Sequence, residues 1–317
     1  MSCRCLSIIA LLLSVTFQPS IVLAADACEQ AAVSIGLTYD DRGRPLVPVI
    51  VDGHDGIMQL DTGGAITAVE MDFVMDLGLP QTYAGFTMTA VTGESSWLMT
   101  TAPSFSLDAI TRPDLDLMIL PGYDYQLSDD EPVGLLALDI LSEYSLHFDF
   151  ENDHFEAFEP DGCVSERESS NETEPVDLPL LDRGGNYLTV LIQLDGLALN
   201  AIIDTGAANS VVNGDIAGER FGLDLRNPDE RMTEVDNVAG IPIYARRFST
   251  LVIGGLEISD PQLTMFPDFV RETGLASPEG GQVSLPQAII GMDILRGRHL
   301  YVGPGRSSLQ ISESSIN

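Results

Sequence analysis

VPVIVDGHDGIMQLDTGGAITAV (residues 47–69) and VLIQLDGLALNAIIDTGAANSVV (residues 190–212) are two versions of one pattern. At a constant offset of 143 positions (204 − 61) they align without gaps, so that Asp52-Gly53 lies over Asp195-Gly196, Asp61-Thr62-Gly63 over Asp204-Thr205-Gly206, and Thr67 over Ser210. Each version reads as a strand, an Asp-Gly turn, a second strand and a sharp turn containing Gly. The second strand of each ends in a carboxylate. An Asp leaving an apolar run is poorly solvated and costly to bury, so its position calls for a chemical reason.

The repeat extends outward from this core. DLGLP (76–80) matches RFGLD (220–224), each after a short helical stretch, near Glu70–Leu77 and Asp215–Phe221. AVTGESSW (90–97) and NVAGIPIY (237–244) each set a Gly inside a strand-like run, which suits a hairpin tip. PSFSLDAITRPDLDLMIL (103–120) and STLVIGGLEISDPQLTMF (249–266) alternate apolar and polar residues around turn signals. VGLLALDIL (133–141) then meets AIIGMDIL (288–295), with short helices expected from Asp139 and Asp293, which are read as helix N-caps. Both copies close on hairpin-like pairs, 144–159 and 298–312. Short strands with frequent Gly and Pro and few segments of helical period argue for an all-β chain of two equivalent units.

One Asp-Thr-Gly triplet carries little information; two at equivalent places in a repeat carry much more. With the apolar strand in front, the small residue behind (Gly64, Ala207), the Gly-bearing hairpin and the downstream apolar-apolar-small triplet, the chain resembles the retropepsin-like aspartic proteases, with two copies fused. AIIGMDIL is similar to the segment that follows the flap in retroviral proteases, and the likeness covers most of residues 30–315. The resemblance implies two acid-protease β-barrel lobes related by a pseudo-twofold axis. It also implies peptide-bond hydrolysis by a carboxylate pair, one from each lobe, with no cofactor and no metal. Two adjacent carboxyls share one proton, so that one acts as base on a water while the other donates to the carbonyl oxygen.

Asp61 and Asp204 are the expected pair. Gly63 and Gly206 allow backbone N–H groups to reach the carboxylates without a Cβ in the way, and Gly64 and Ala207 complete the two loops. The resemblance implies that Thr62 and Thr205 bond across the lobe interface. Thr92-Gly93 and Ala239-Gly240 are the expected flap tips; neither has a Tyr, which favours two flaps over a single one. The substrate is a polypeptide in extended form. Two departures stand out: Gly64 faces Ala207 in the repeat, and Ala137 stands where the second copy has Gly291. In the resemblance that glycine packs beneath the active loop, so the added methyl of Ala137 is either absorbed by a small shift or displaces Asp61. Trp97 and Tyr244 are read as strand or core aromatics.

Of the 317 residues, the first 24 have a positive residue, an apolar run and small residues at the end, and are read as a secretory signal peptide. The expected layout is then 1–24 signal, 25–162 first lobe, 163–177 linker and 178–317 second lobe, in an exported, periplasmic or secreted monomer with an internal pseudo-dimer. No later run is apolar for long enough to span a bilayer. Cys28 and Cys163 remain after signal removal, an even pair of the kind that forms a disulfide in exported proteins. His54, His147, His154 and His299 show no ligand spacing along the chain. There are 48 acidic and 15 basic residues, every one of the latter Arg, for a net charge of −33. Such a surface repels the phosphate backbone and excludes nucleic acid as a partner.

Overall fold

The Asp-Gly pairs make the turns that the sequence demands. Asp52 and Gly53 have φ of 48° and 76°, and Asp195 and Gly196 have 47° and 77°. Two successive positive values belong to the type I′ turn, whose twist matches that of a hairpin. The computed structural model describes residues 31–89, 95–120, 132–159, 175–181, 187–238, 241–266 and 286–312.

The first lobe contains β1 (Val33–Gly36), β2 (Thr38–Tyr39), β3 (Pro45–Val51), β4 (His54–Leu60), β5 (Ala68–Val69), α1 (Met71–Asp76), β6 (Gln81–Thr89), β7 (Ser95–Leu107), β8 (Ile110–Ile119), β9 (Gly134–Leu136), α2 (Leu138–Leu141), β10 (Ser145–Asp149) and β11 (His154–Phe158). Its sheet runs β2-β3-β4-β9-β5-β8-β7-β6, and a further pairing of β3 with β7 closes six of these strands into a barrel. Strand β3 alternates as a half-buried strand does, with Val47, Val49 and Val51 inward.

The second lobe contains β12 (Val176–Asp177), β13 (Thr189–Leu194), β14 (Leu197–Ile203), β15 (Val211–Asn213), α3 (Gly214–Phe221), β16 (Met232–Val238), β17 (Ile241–Arg247), β18 (Thr250–Ile253), β19 (Leu256–Ser259), β20 (Gln262–Phe266), β21 (Ala288–Ile290), α4 (Met292–Leu295), β22 (His299–Val302) and β23 (Leu309–Ile311). Its sheet order is β16-β17-β20-β15-β21-β14-β13-β18-β19. The long β7 and β8 of the first lobe correspond here to two broken strands, β17 with β18 and β19 with β20. The break falls at Phe248-Ser249, where the Asp195 side chain accepts the Ser249 and Thr250 N–H groups at 2.7 and 3.0 Å. Helix α3 starts at Asn213, whose side chain accepts from the Asp215 N–H, and ends at Gly222 in the left-handed region (φ 66°).

A third sheet joins the lobes in the order β1-β11-β10-β22-β23-β12. Strands β10 and β22 are equivalent in the repeat and pair antiparallel, Leu146 with Val302, His147 with Tyr301 and Phe148 with Leu300. The pairing is symmetric about His147 and Tyr301, as expected where a twofold axis crosses a sheet. Val176-Asp177, at the end of the expected linker, is strand β12; Cys28, Cys163 and most of the linker lie outside the described residues. One buried apolar cluster runs from Val33 through Leu60 and Ile203 to Ile311. Among the described residues no helix is long and apolar enough to cross a membrane.

Candidate active site

Parallel pairing places the two carboxylates. Leu60 lies beside Leu136 and Ile203 beside Ile290. Where each strand ends, the N–H of the following Asp is held by the neighbouring strand: Asp61 donates to Leu136 O at 3.0 Å and Asp204 to Ile290 O at 2.9 Å. The side chains then turn back on their own loops. Asp61 Oδ1 accepts from the N–H groups of Gly63 and Gly64 at 2.9 and 2.8 Å, and Asp204 Oδ1 from those of Gly206 and Ala207 at 2.8 and 3.1 Å.

The two carboxyls hydrogen-bond each other. Burial pushes both pKa values above the ordinary carboxylate range. Asp61 is pulled back by its bond with Asp204, by the Gly63 and Gly64 N–H groups and by the Arg44 guanidinium. Asp204 is raised further by the charge of Asp61. The pair therefore titrates as a unit, in two steps that belong to both carboxyls, with one proton shared between the steps.

Thr62 and Thr205 are fully buried and cross between lobes. The Thr62 N–H donates to Thr205 Oγ1 at 3.1 Å and its hydroxyl to Ile203 O at 2.9 Å; the Thr205 N–H donates to Thr62 Oγ1 at 3.0 Å and its hydroxyl to Leu60 O at 2.7 Å. Each hydroxyl both donates and accepts, so both buried threonines are satisfied across the interface. Removing one hydroxyl strands a buried N–H and a buried C=O, at about 1 to 3 kcal/mol each.

Gly63 and Gly206 are needed for close approach. A Cβ at Gly63 would overlap the Asp204 carboxyl, and one at Gly206 would lie 2.6 Å from the Asp61 carboxyl carbon and 2.7 Å from Gln59 Nε2. Of the two outcomes open for Ala137, the structure shows its methyl absorbed, with Asp61 in place. A Cβ at Gly64 would lie 3.0 Å from the Ala137 methyl, whereas a Cβ at Gly291 would meet Ala207 O at 2.6 Å. In the second lobe the obstacle at Gly291 is backbone, Ala207 O and Asn209, rather than the Ala207 methyl, while Asp61 retains the same pair of N–H bonds as Asp204. Gly64→Ala is expected to destabilise the protein by about 1 to 3 kcal/mol through overpacking. The Gly64→Ala, Ala137→Gly double variant should regain part of this in urea unfolding, because the new methyl still meets the Asp61 carboxyl at 3.0 Å; a double variant no more stable than the single one would discredit the contact with Ala137.

Asp139 and Asp293 are not N-caps. The caps of α2 and α4 are Ala137 and Gly291, and neither provides a side-chain cap. Asp139 instead accepts from the Thr67 hydroxyl and N–H at 2.6 and 3.0 Å, and Asp293 from those of Ser210 at 2.6 and 2.8 Å. The same hydroxyls accept from the N–H groups of Ala137 and Gly291 at 3.1 and 3.0 Å. These clamps fix the floor beneath each Asp-Thr-Gly loop. Trp97 lies on β7 and is 51% exposed, so it is not a core aromatic; Tyr244 packs partly buried against the core.

Hairpins β6-β7 and β16-β17 carry the two expected flaps, each with a register shift, between Tyr83 and Met88 and between Glu234 and Asp236. The tips, Thr92-Gly93 and Ala239-Gly240, lie outside the described residues.

Three residues beside the pair went unremarked in the sequence. Gln59 Nε2 donates to Gly206 O at 3.1 Å, tying the first lobe's strand to the second lobe's loop; its counterpart is Ile202. The other two, Arg44 and Tyr187, stand at equivalent positions, each 17 residues before its Asp (61 − 44 and 204 − 187). The pairings Leu46 with Gln59 and Thr189 with Ile202 carry them toward Asp61 and Asp204. Arg44 is held by Asp40, with Nε 2.5 Å from Oδ2. The Tyr187 phenol is pushed up by burial and then by the charges of Asp61 and Asp204. The equal spacing from the motif was the signal available, although a self-comparison based on residue identity passes over it.

Two Asp-Thr-Gly loops from equivalent lobes, locked face to face by reciprocal threonine bonds, define the retropepsin-like class of aspartic protease fold. The chain belongs to the aspartyl protease family: the family model described as Aspartyl protease matches residues 47–140 and 190–294, one match in each lobe and together more than half of the chain. Comparison with curated proteins finds no match.

Proposed function

We propose that the protein is an aspartic endopeptidase, exported from the cell, in which Asp61 and Asp204 hydrolyse a peptide held in extended form between the two flap hairpins. The observation that most supports this reading is the hydrogen-bonded contact of the two carboxyls, each also accepting two backbone N–H groups of its own loop.

In the reaction, the Asp61 carboxylate takes a proton from a water as its oxygen attacks the scissile carbonyl carbon, and Asp204 gives its proton to the carbonyl oxygen. The product is a neutral gem-diol. Its collapse returns a hydroxyl proton to Asp204 while Asp61 passes its proton to the leaving nitrogen, and the C–N bond breaks. Low dielectric around the pair strengthens each of these transfers. Arg44, paired with Asp40, on one side and Tyr187 on the other give the two halves of the site different chemistry.

Activity requires Asp61 ionised and Asp204 protonated. It rises as the first carboxyl of the pair loses its proton and falls as pH climbs through the second, raised step, which gives a bell-shaped profile. Arg44→Ala removes a charge that favours ionised Asp61, so its acidic limb should move to higher pH, while the alkaline limb moves less. The pH profile of kcat/KM measures both.

The deciding experiment is incubation of the mature protein with a diverse peptide library across pH, with and without a statine-type transition-state mimic. Cleavage at acid pH, blocked by the mimic, is the expected result. Saturable peptide binding with no cleavage at any pH would overturn the enzyme and leave a binding module.

A further inference from the structure

The histidines look scattered in sequence, yet two of them meet. His147 on β10 and His299 on β22 come from different lobes, and the pairing of Asp149 with His299 and of His147 with Tyr301 puts all four side chains on one face of the joining sheet. His147 Nε2 lies 3.0 Å from His299 Nδ1, which lies 3.6 Å from Asp149 Oδ1. Ligand atoms of these three residues all fall within 4.8 Å of one another.

We propose that His147, Asp149 and His299 form a site for a divalent transition-metal ion of the zinc type, which fastens the two lobes together at their shared sheet. Three observations carry this. First, bonds of about 2.0 to 2.1 Å in a tetrahedral site set ligand atoms about 3.3 to 3.4 Å apart. Two of the three separations, 3.0 and 3.6 Å, bracket that value and the third lies within 4.8 Å, so turning the side chains brings all three atoms to one ion.

Second, each imidazole has a carboxylate behind it: His147 Nδ1 is 3.2 Å from Glu156 Oε2, and His299 Nε2 is 3.3 Å from Glu151 Oε2. Such carboxylates place the ring proton on the outer nitrogen and leave the inner one with its lone pair, the arrangement found behind metal-bound histidine. The inner nitrogens meet across 3.0 Å as a hydrogen bond, and a metal ion bound there takes the place of its proton. Third, the rings are pre-set. His147 stacks on Tyr301 at 4.4 Å and 6°, and lies nearly coplanar with His299, their planes 16° apart and the two facing nitrogens in line. Asp149, Glu151 and Glu156 surround the two imidazoles with negative charge, and His299 is only 8% exposed. The set suits imidazole-binding metals better than magnesium or calcium, which prefer all-oxygen shells.

The test uses the full mature chain, stripped with chelator and titrated with ZnCl2 or CoCl2 in excess MgCl2, which saturates the nonspecific acidic surface. Expected are one equivalent of bound zinc, a rise in Tm with zinc, and the visible bands of tetrahedral Co(II). His299→Gln should abolish all three. Glu151→Gln should weaken zinc binding by about 10 to 100-fold. Asp61→Asn should bind as the parent does, which separates this site from the carboxylate pair. If His299→Gln does not fold, Asp149→Asn decides in its place, with at least a roughly tenfold loss of zinc affinity expected on the same grounds. Absence of saturable binding, binding indifferent to both ligand substitutions, or binding lost in Asp61→Asn would overturn the proposal.

Discussion

Replacing either Asp61 or Asp204 by Asn is expected to lower kcat/KM by about 10⁴-fold or more, and replacing both should cost little beyond either alone, because groups that act as one unit lose their effect together. In Asp61→Asn the carboxamide cannot take the proton of water, and in Asp204→Asn it cannot supply one to the carbonyl oxygen. The substitution is otherwise mild. In Asp204→Asn the side-chain carbonyl still accepts from Gly206 and Ala207, and the new amide donates to Asp61 as the protonated acid does. Retained cleavage in either variant would remove the pair from the mechanism.

Stability should move the other way. Asp204 is pushed well above its ordinary pKa by burial and by the charge of Asp61. A carboxyl raised on folding contributes its stabilisation fully below the unfolded pKa and loses it as pH rises through the folded one. The parent should therefore lose Tm across that interval while Asp204→Asn stays flatter, ending above the parent at neutral pH. In a chain of this size each kcal/mol corresponds to about 2 to 4 °C.

Gly63→Ala is expected to reduce kcat/KM by at least about 100-fold with the fold retained. The added Cβ overlaps the carboxyl carbon and both oxygens of Asp204, a side chain already held by two N–H bonds. It can only be relieved by moving the acid or opening the lobe interface. A displacement of about 1 Å at reacting groups costs on the order of 10²-fold. Circular dichroism with peptide-cleavage kinetics distinguishes this from unfolding. Near-normal kcat/KM in a folded variant would mean that the carboxyl contact is dispensable.

The paired units, the Asp-Gly turns and the equivalent placing of the two Asp-Thr-Gly loops were legible in the sequence because each rests on a local rule applied twice. Positive φ at Asp52 and Asp195 requires the turn residues that are there, and the repeat supplied the register. The Asp139 and Asp293 clamps were misread because an acidic residue at the start of a short helix looks like a cap, and only the folded chain brings Thr67 and Ser210 to it. Arg44, Tyr187 and Gln59 were missed for a different reason. Their counterparts differ in chemical type, so comparing the copies marks them as drift. His147 and His299 are separated by 152 positions, and only the pairing of β10 with β22 joins them.

That two halves share one polypeptide has a consequence for what they recognise. In an assembly of identical subunits every substitution appears twice, mirrored through the axis, and the cleft reads a peptide alike in both orientations. Here Arg44 opposes Tyr187 and Gln59 opposes Ile202, each occurring once. On the proposed reading, the space between them has a head and a tail, and with them the means to fix the direction in which a peptide's backbone lies.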